Sequence, residues 1–437
     1  MWSYICLPAG VSLPSSPSHL LGLIAAALLA AGCATGSADE SDPRESESAQ
    51  VAASVVVADS KAVAAADVAA DRVTLPSIVA DRYRVLQPGA IFVGARAGTK
   101  TKNPDGFLRR VVSVADEGGA LVVHTTNATL TDAIVRGAVR ASSGSNGIDG
   151  ELTAAPSTVR PQSREELTAI AIDFSDKPLF EGTDEIDVAG GKAKFTESIR
   201  FDRAVLTSKP VVDVDLAIRD GAVSRFVAKV AGNLDTSVKA RAVVTAEGDV
   251  NEATPAELKT RKKDVERVIY QSPRVALPTF AVGGVPVSPS VQFTVKLRCS
   301  LAFGGPLSAE AGLEAKSSVR LGAVFEGGAW QPPIKSDFDI KPEFTMTQGG
   351  EIDARCAIEA DAQLFAYGAS GVTLTVAPYV DFGVKHEAGG HHFRVQGGAT
   401  GHLRGNADVF GVTIPESTTP LAEWNAPSLL EGTVASP

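Results

Sequence analysis

The densest group of side chains able to hold a metal or move a proton is His386-Glu387-Ala388-Gly389-Gly390-His391-His392, with His402 further on. A zinc helix needs two histidines one turn apart with a glutamate between them, so that both rings reach the ion from one face. Here His386 and His391 stand five residues apart, and the glycine pair would break such a helix. A β-hairpin turning at Gly389-Gly390 accommodates the pattern better. That register pairs Val384 with Val395 and His386 with Phe393 on an apolar face, and Lys385 with Arg394 and Glu387 with His392 on a polar one. Histidines divided between two faces make a poor tetrahedral site. His386, His391, His392 and His402 are therefore weak metal candidates, and neither a metal nor a cofactor is expected.

Cys299 and Cys356 each follow an arginine within an alternating segment and fall on its apolar side. Facing positions on paired or packed strands would bring them within the Cα separation of roughly 4.4–6.8 Å that a disulfide needs. The competing reading is a pair of separate buried thiols. Acidic pairs such as Asp213/Asp215, Asp337/Asp339 and Glu351/Asp353 set two carboxylates on one strand face without the oxygen-rich loop that calcium requires, so they read as solvated surface. Gly368-Ala369-Ser370-Gly371 lacks the spacing of a nucleophile elbow, and Gly283-Gly284 is followed by no phosphate-loop lysine. Both read as turns, and no catalytic residue is assigned.

Strands must position these groups. Val212, Val214, Leu216 and Ile218 alternate with Asp213, Asp215 and Arg219, and the same period of two recurs from Val291 to Phe303 and from Ile352 to Leu364. One polar face per strand indicates antiparallel sheets rather than a parallel sheet buried on both sides. The expected fold is all-β, a sandwich or barrel-like body preceded by a smaller β block, in which Phe107–Val114 and Leu121–Thr125 form a hairpin around Gly118-Gly119. Thr254-Pro255-Ala256-Glu257 has the chemistry of a helix start and predicts one short helix near 255–266, with Leu258, Val265 and Val268 lining one face.

Near the start, Leu20–Ala31 is apolar but too short to span a bilayer, and it ends in Ala30-Ala31-Gly32-Cys33 before a Ser-, Ala- and acid-rich stretch. These residues resemble the lipobox of bacterial membrane lipoproteins. The resemblance covers the signal alone and implies cleavage before Cys33, acylation of that cysteine, and an address in the cell envelope, at the outer membrane or cell surface. The expected organisation is then a signal peptide at 1–32, acylated Cys33 and a disordered tether at 33–75, a small β domain at 76–140, a linker at 141–165 and a large β domain at 166–437. With 51 acidic against 41 basic residues, net charge −10, the chain is not expected to bind nucleic acid. Its expected partners are the membrane, through the lipid, and an unidentified protein, polymer or hydrophobic ligand. The leading expectation is a non-enzymatic structural or binding lipoprotein. The alternatives are a carrier of a hydrophobic ligand between its sheets and, behind it, a hydrolase built on His386, His402 and surface carboxylates.

Overall fold

Alternating side chains become long antiparallel strands whose inner faces meet. The computed structural model describes residues 49–97, 101–143, 169–188, 191–247, 261–304, 307–331, 337–348, 351–387, 390–405, 408–411 and 419–434, which belong to one compact unit. The expected signal peptide, Cys33 and the linker from residue 144 onward lie outside them. In the first large sheet, Ala222–Glu247 is central. One of its edges bonds Leu307–Glu326, and the other is shared by Val211–Arg219 and Gly191–Ser208. The second sheet runs in the order Arg261–Gln271, Pro289–Gly304, Glu351–Ala366, Ala369–Glu387, Gly390–Gly405, Thr419–Val434.

Inner residues of both sheets form one core. Phe201, Leu216 and Phe226 of the first pack in the same buried cluster as Val291, Leu297, Leu374 and Leu403 of the second. Each such side chain stabilises the fold by about 1.5–3 kcal/mol when fully buried. The body is an all-β sandwich of antiparallel sheets, as the alternation predicts.

A smaller six-stranded sheet sits at residues 55–127. Phe92, Phe107, Tyr83 and Leu75 build a core on one of its faces, with ring centroids 5.4 Å apart for Tyr83–Phe92 and 5.0 Å for Phe92–Phe107. Ile91, Val93 and Leu108 point the other way and join the main core. The expected hairpin is present, with Gly118 and Gly119 at φ +58° and +85° between Phe107–Glu117 and Ala120–Asn127.

The fold differs from the sequence expectation in four places. The tether expected to reach residue 75 is part of the fold from residue 50. Gln50–Val51 pairs with Ile134–Ser142, Arg72–Pro76 pairs with Ala120–Asn127, and Asp59 caps the helix Ser60–Ala65 by accepting from the Ala62 amide at 2.8 Å. Ala58, Ala62, Val63 and Ala66 are buried there, because small side chains fit where the sheet leaves little room. Val55–Ala58 pairs parallel with Ile91–Gly94, which the long helix-containing connection between them permits. The expected helix at 255–266 is the third difference. Residues 255–260 lie outside the described set, and Arg261–Gln271 is a strand with Val265 opposite Cys299. A cap motif acts locally, whereas this strand is held by the ladder, by Lys263–Asp184 at 2.7 Å and by Arg267 donating to the Pro178 carbonyl at 2.9 Å. The fourth is register. Val384 pairs with Phe393, Lys385 with His392 and His386 with His391. The ladder is thus slipped by two residues, which leaves every side chain on its expected face but avoids setting Lys385 against Arg394.

Cys299 and Cys356 are directly opposite on adjacent strands and joined by a disulfide. Both are buried in the main core. The bond closes a loop with a sequence separation of 57, which on the chain-entropy model is worth about 4 kcal/mol. Replacing both cysteines with alanine should lower the urea midpoint of the oxidised protein accordingly, and peptide mapping without reduction should recover the two cysteine peptides as one species.

Candidate binding cleft

His391, His392 and His402 do not assemble into a centre. His391 is buried opposite His386, His392 faces Glu431 at 3.1 Å, and His402 lies opposite Thr375 on the other face of the same strand. Among the described residues no group of three or more His, Cys, Asp or Glu is placed to hold a metal ion. On the outer face of the first sheet Asp215 faces Arg225 at 3.5 Å. Gly368 forms a two-residue turn with Tyr367, and Gly283-Gly284 turns a short hairpin, both with positive φ. Between the two sheets an apolar cavity of about 60 Å³ is lined by Leu206, Leu234, Phe293 and Leu374. Pockets that enclose small organic ligands run to roughly 300–1,000 Å³, so this one is a packing gap.

A larger cleft, of about 410 Å³, opens where the small sheet meets the end of the sandwich. Its walls come from six separate stretches: Val68, Asp105–Arg109, Asn127–Thr129, Arg274, the Tyr367-Gly368 turn with Ala369, and Asp408-Val409. Backbone carbonyls fix the first wall. Arg96 donates to the carbonyls of Pro104 at 3.1 Å, Leu277 at 3.2 Å and Pro289 at 2.8 Å, tying the small block to the second sheet. Buried Asn103 donates to the carbonyls of Val63 at 2.8 Å and Ala66 at 2.6 Å.

Tyr367 carries φ +50°, an uncommon conformation for a bulky side chain that costs on the order of 1–3 kcal/mol and must be held by its surroundings. Its hydroxyl donates to the Pro286 carbonyl, and burial pushes the phenol up. Gly368 at φ +76° lets Asp105 approach, since a Cβ there would lie 3.2 Å from the Asp105 carboxylate. Arg274 lies over the Phe365 ring at 4.1 Å and reaches Asp105 at 3.2 Å. That ion pair closes one end of the cleft.

Arg109 is the other cation of the cleft. Its guanidinium is half-buried and donates to the Ala70 carbonyl at 3.2 Å, the Ala69 carbonyl at 3.3 Å and the Asn127 side-chain oxygen. All three acceptors are neutral. Burial alone lowers its pKa, with no carboxylate acting to raise it. The cleft lining contains no histidine, cysteine, serine or lysine among the described residues; its polar side chains are Asp105, Arg109, Asn127, Thr129, Arg274, Tyr367 and Asp408. Sequence reasoning missed it because its walls are drawn from residues between Val68 and Val409; the one local sign was adjacent Arg109-Arg110 between the apolar pairs Phe107-Leu108 and Val111-Val112.

The Asn127–Thr129 wall is set by a capping box. Thr129 Oγ1 accepts from the Asp132 amide at 3.2 Å, and the Asp132 carboxylate accepts from the Thr129 amide at 2.8 Å while facing Arg110 at 2.6 Å. Burial pushes the Asp132 carboxyl up, but the Thr129 hydrogen bonds and the Arg110 charge outweigh it and hold the group below its ordinary value. A depressed folded-state pKa gives stability that is present above the unfolded value, about 3.9, and lost as the pH falls through the folded one. Asp132→Ala should cost about 1 kcal/mol at pH 7. The gap between variant and wild type in urea denaturation should close as the pH drops from about 5 toward 2. Compared with known proteins, the chain matches no family model, no curated protein and no solved structure.

Proposed function

We propose that this chain is a lipid-anchored protein of the bacterial cell envelope whose β body serves a binding rather than a catalytic role. The observation that carries the binding role is the 410 Å³ cleft, which offers two guanidinium groups and a polar rim. It falls within the roughly 300–1,000 Å³ range of small-molecule sites. Export is supported by the Cys299–Cys356 disulfide, because such bonds persist in oxidising compartments and are rare in the cytosol. Anchoring rests on the lipobox-like Ala30-Ala31-Gly32-Cys33. Two or three acyl chains on Cys33 would hold the body firmly, where one alone binds marginally. The carrier alternative needs ligand-sized space between the sheets, and the gap there is about 60 Å³.

Expression in a Gram-negative host should yield a membrane-fraction protein whose mature mass begins at acylated Cys33. Cys33→Ala should leave the chain unacylated and abolish the acyl-dependent mass increment. An unmodified Cys33 in the wild-type membrane fraction would overturn the anchoring.

A further inference from the structure

The cleft that supports the binding role is chemically asymmetric. At one end Arg274 is neutralised by Asp105 and stacked on Phe365. Further in, Arg109 is held by Asn127 and two backbone carbonyls, and no ion pair to it is present among the described residues. Its Nε has no acceptor among those residues. A guanidinium positioned by neutral acceptors and partly removed from water has already lost hydration without gaining a counter-charge. It therefore gains most from a ligand oxyanion, to which charge-assisted bonds are about twice as strong as neutral ones. The lining also carries the apolar side chains Val68, Leu108, Ala128 and Val409 among its polar groups.

We infer that the cleft is a binding site for a small organic monoanion, a carboxylate with a compact apolar body, whose oxygens pair with Arg109 and whose body lies along Leu108, Ala128 and Val409. This deepens the binding role proposed above and rests on it. Arg109 has the geometry for the task because Asn127, directly across the strand pair, fixes one of its nitrogens and the Ala69-Ala70 carbonyls fix the plane of the group.

Benzoate is the test probe, titrated calorimetrically into the full mature chain in a non-ionic detergent, with inorganic phosphate and benzyl alcohol as comparators. Saturable benzoate binding is expected, weakened about tenfold or more in Arg109→Gln and partly restored in Arg109→Lys, as a point charge replaces the planar fork. Benzyl alcohol, with the body but no charge, should bind at least tenfold more weakly. Arg109 also supports the Ala69-Ala70 turn, so an Asn127→Ala variant, which keeps the cation but frees it, should weaken benzoate by a smaller factor. Equal binding by wild type and Arg109→Gln, or no benzoate binding at all, would overturn the inference. Phosphate binding more tightly than benzoate would also overturn it, by showing a site for compact multivalent anions. The acylation test at Cys33 reads the anchor separately, so a failed titration and a failed anchor are told apart.

Discussion

The structure depends on a single strand bonded along both edges. Ala222–Glu247 runs for 26 residues with Leu307–Glu326 on one side, in register from Arg225 opposite Glu326 to Val244 opposite Leu307. On its other side it changes neighbour, from Val211–Arg219 to Gly191–Ser208. The handover falls at Gly232, where the connection between those two strands presses on the ladder: a Cβ would lie 2.5 Å from the Lys209 carbonyl. Only glycine allows that approach without a backbone shift. The small apolar gap between the sheets is lined by Ser208, Pro210, Ala231 and Gly232 together with Leu234, and so marks the place where one neighbour has ended and the next begins. The gap follows from the topology of the sheet and needs no ligand to explain it.

Register carries this order to the opposite end of the body. Pro289–Gly304 and Glu351–Ala366 are paired over their full 16 residues, from Gly304 opposite Glu351 to Pro289 opposite Ala366. The disulfide lies within that ladder. A slip of one residue would turn the inner side chains outward, so the apolar face fixes where the ladder ends. It ends at Ala366, and the Tyr367-Gly368 turn follows at once. The Pro286 carbonyl that accepts from Tyr367 belongs to the short hairpin just before the same ladder. The wall of the cleft is thus set by the packing of the sandwich core.

Fold class was legible in the sequence because a period of two repeated over segments such as Val211–Arg219 and Glu351–Ala366 has only one physical reading, a strand with one buried face. The cysteine pair was legible for the same reason, once both side chains fell on apolar faces. Register was not. A two-residue slip in the 369–405 hairpin keeps all faces, so alternation cannot distinguish Val384 opposite Val395 from Val384 opposite Phe393. Residues 50–75 were illegible because their buried side chains are mainly alanine and valine, which read as low-complexity filler until a sheet is there to receive them. Thr254-Pro255-Ala256-Glu257 misled beyond its own length, as a cap motif reports on one turn and Arg261–Gln271 answers to its ladder. The cleft left almost no local mark, since Arg109, Arg274, Tyr367 and Asp408 meet only when four segments fold together.

Its location also follows from packing. Enlarging the space between the sheets to hold a ligand would mean replacing paired inner side chains along ladders whose register depends on them, at a cost of several kcal/mol for each large residue removed. The junction with the small sheet carries no such constraint. There Val68, Leu108, Arg109 and Asn127 stand near the ends of strands, Tyr367-Gly368 is a turn, Asp408-Val409 begins a short 3-10 helix, and the ordering contacts are hydrogen bonds that Arg96 and Asn103 donate to backbone carbonyls. The small block supplies Asp105, Arg109 and Asn127 to the cleft, and the sandwich body supplies Arg274, Tyr367 and Asp408. The cleft at that seam borders the main core at Leu108, Ala128 and Val409 without opening the space between the two large sheets.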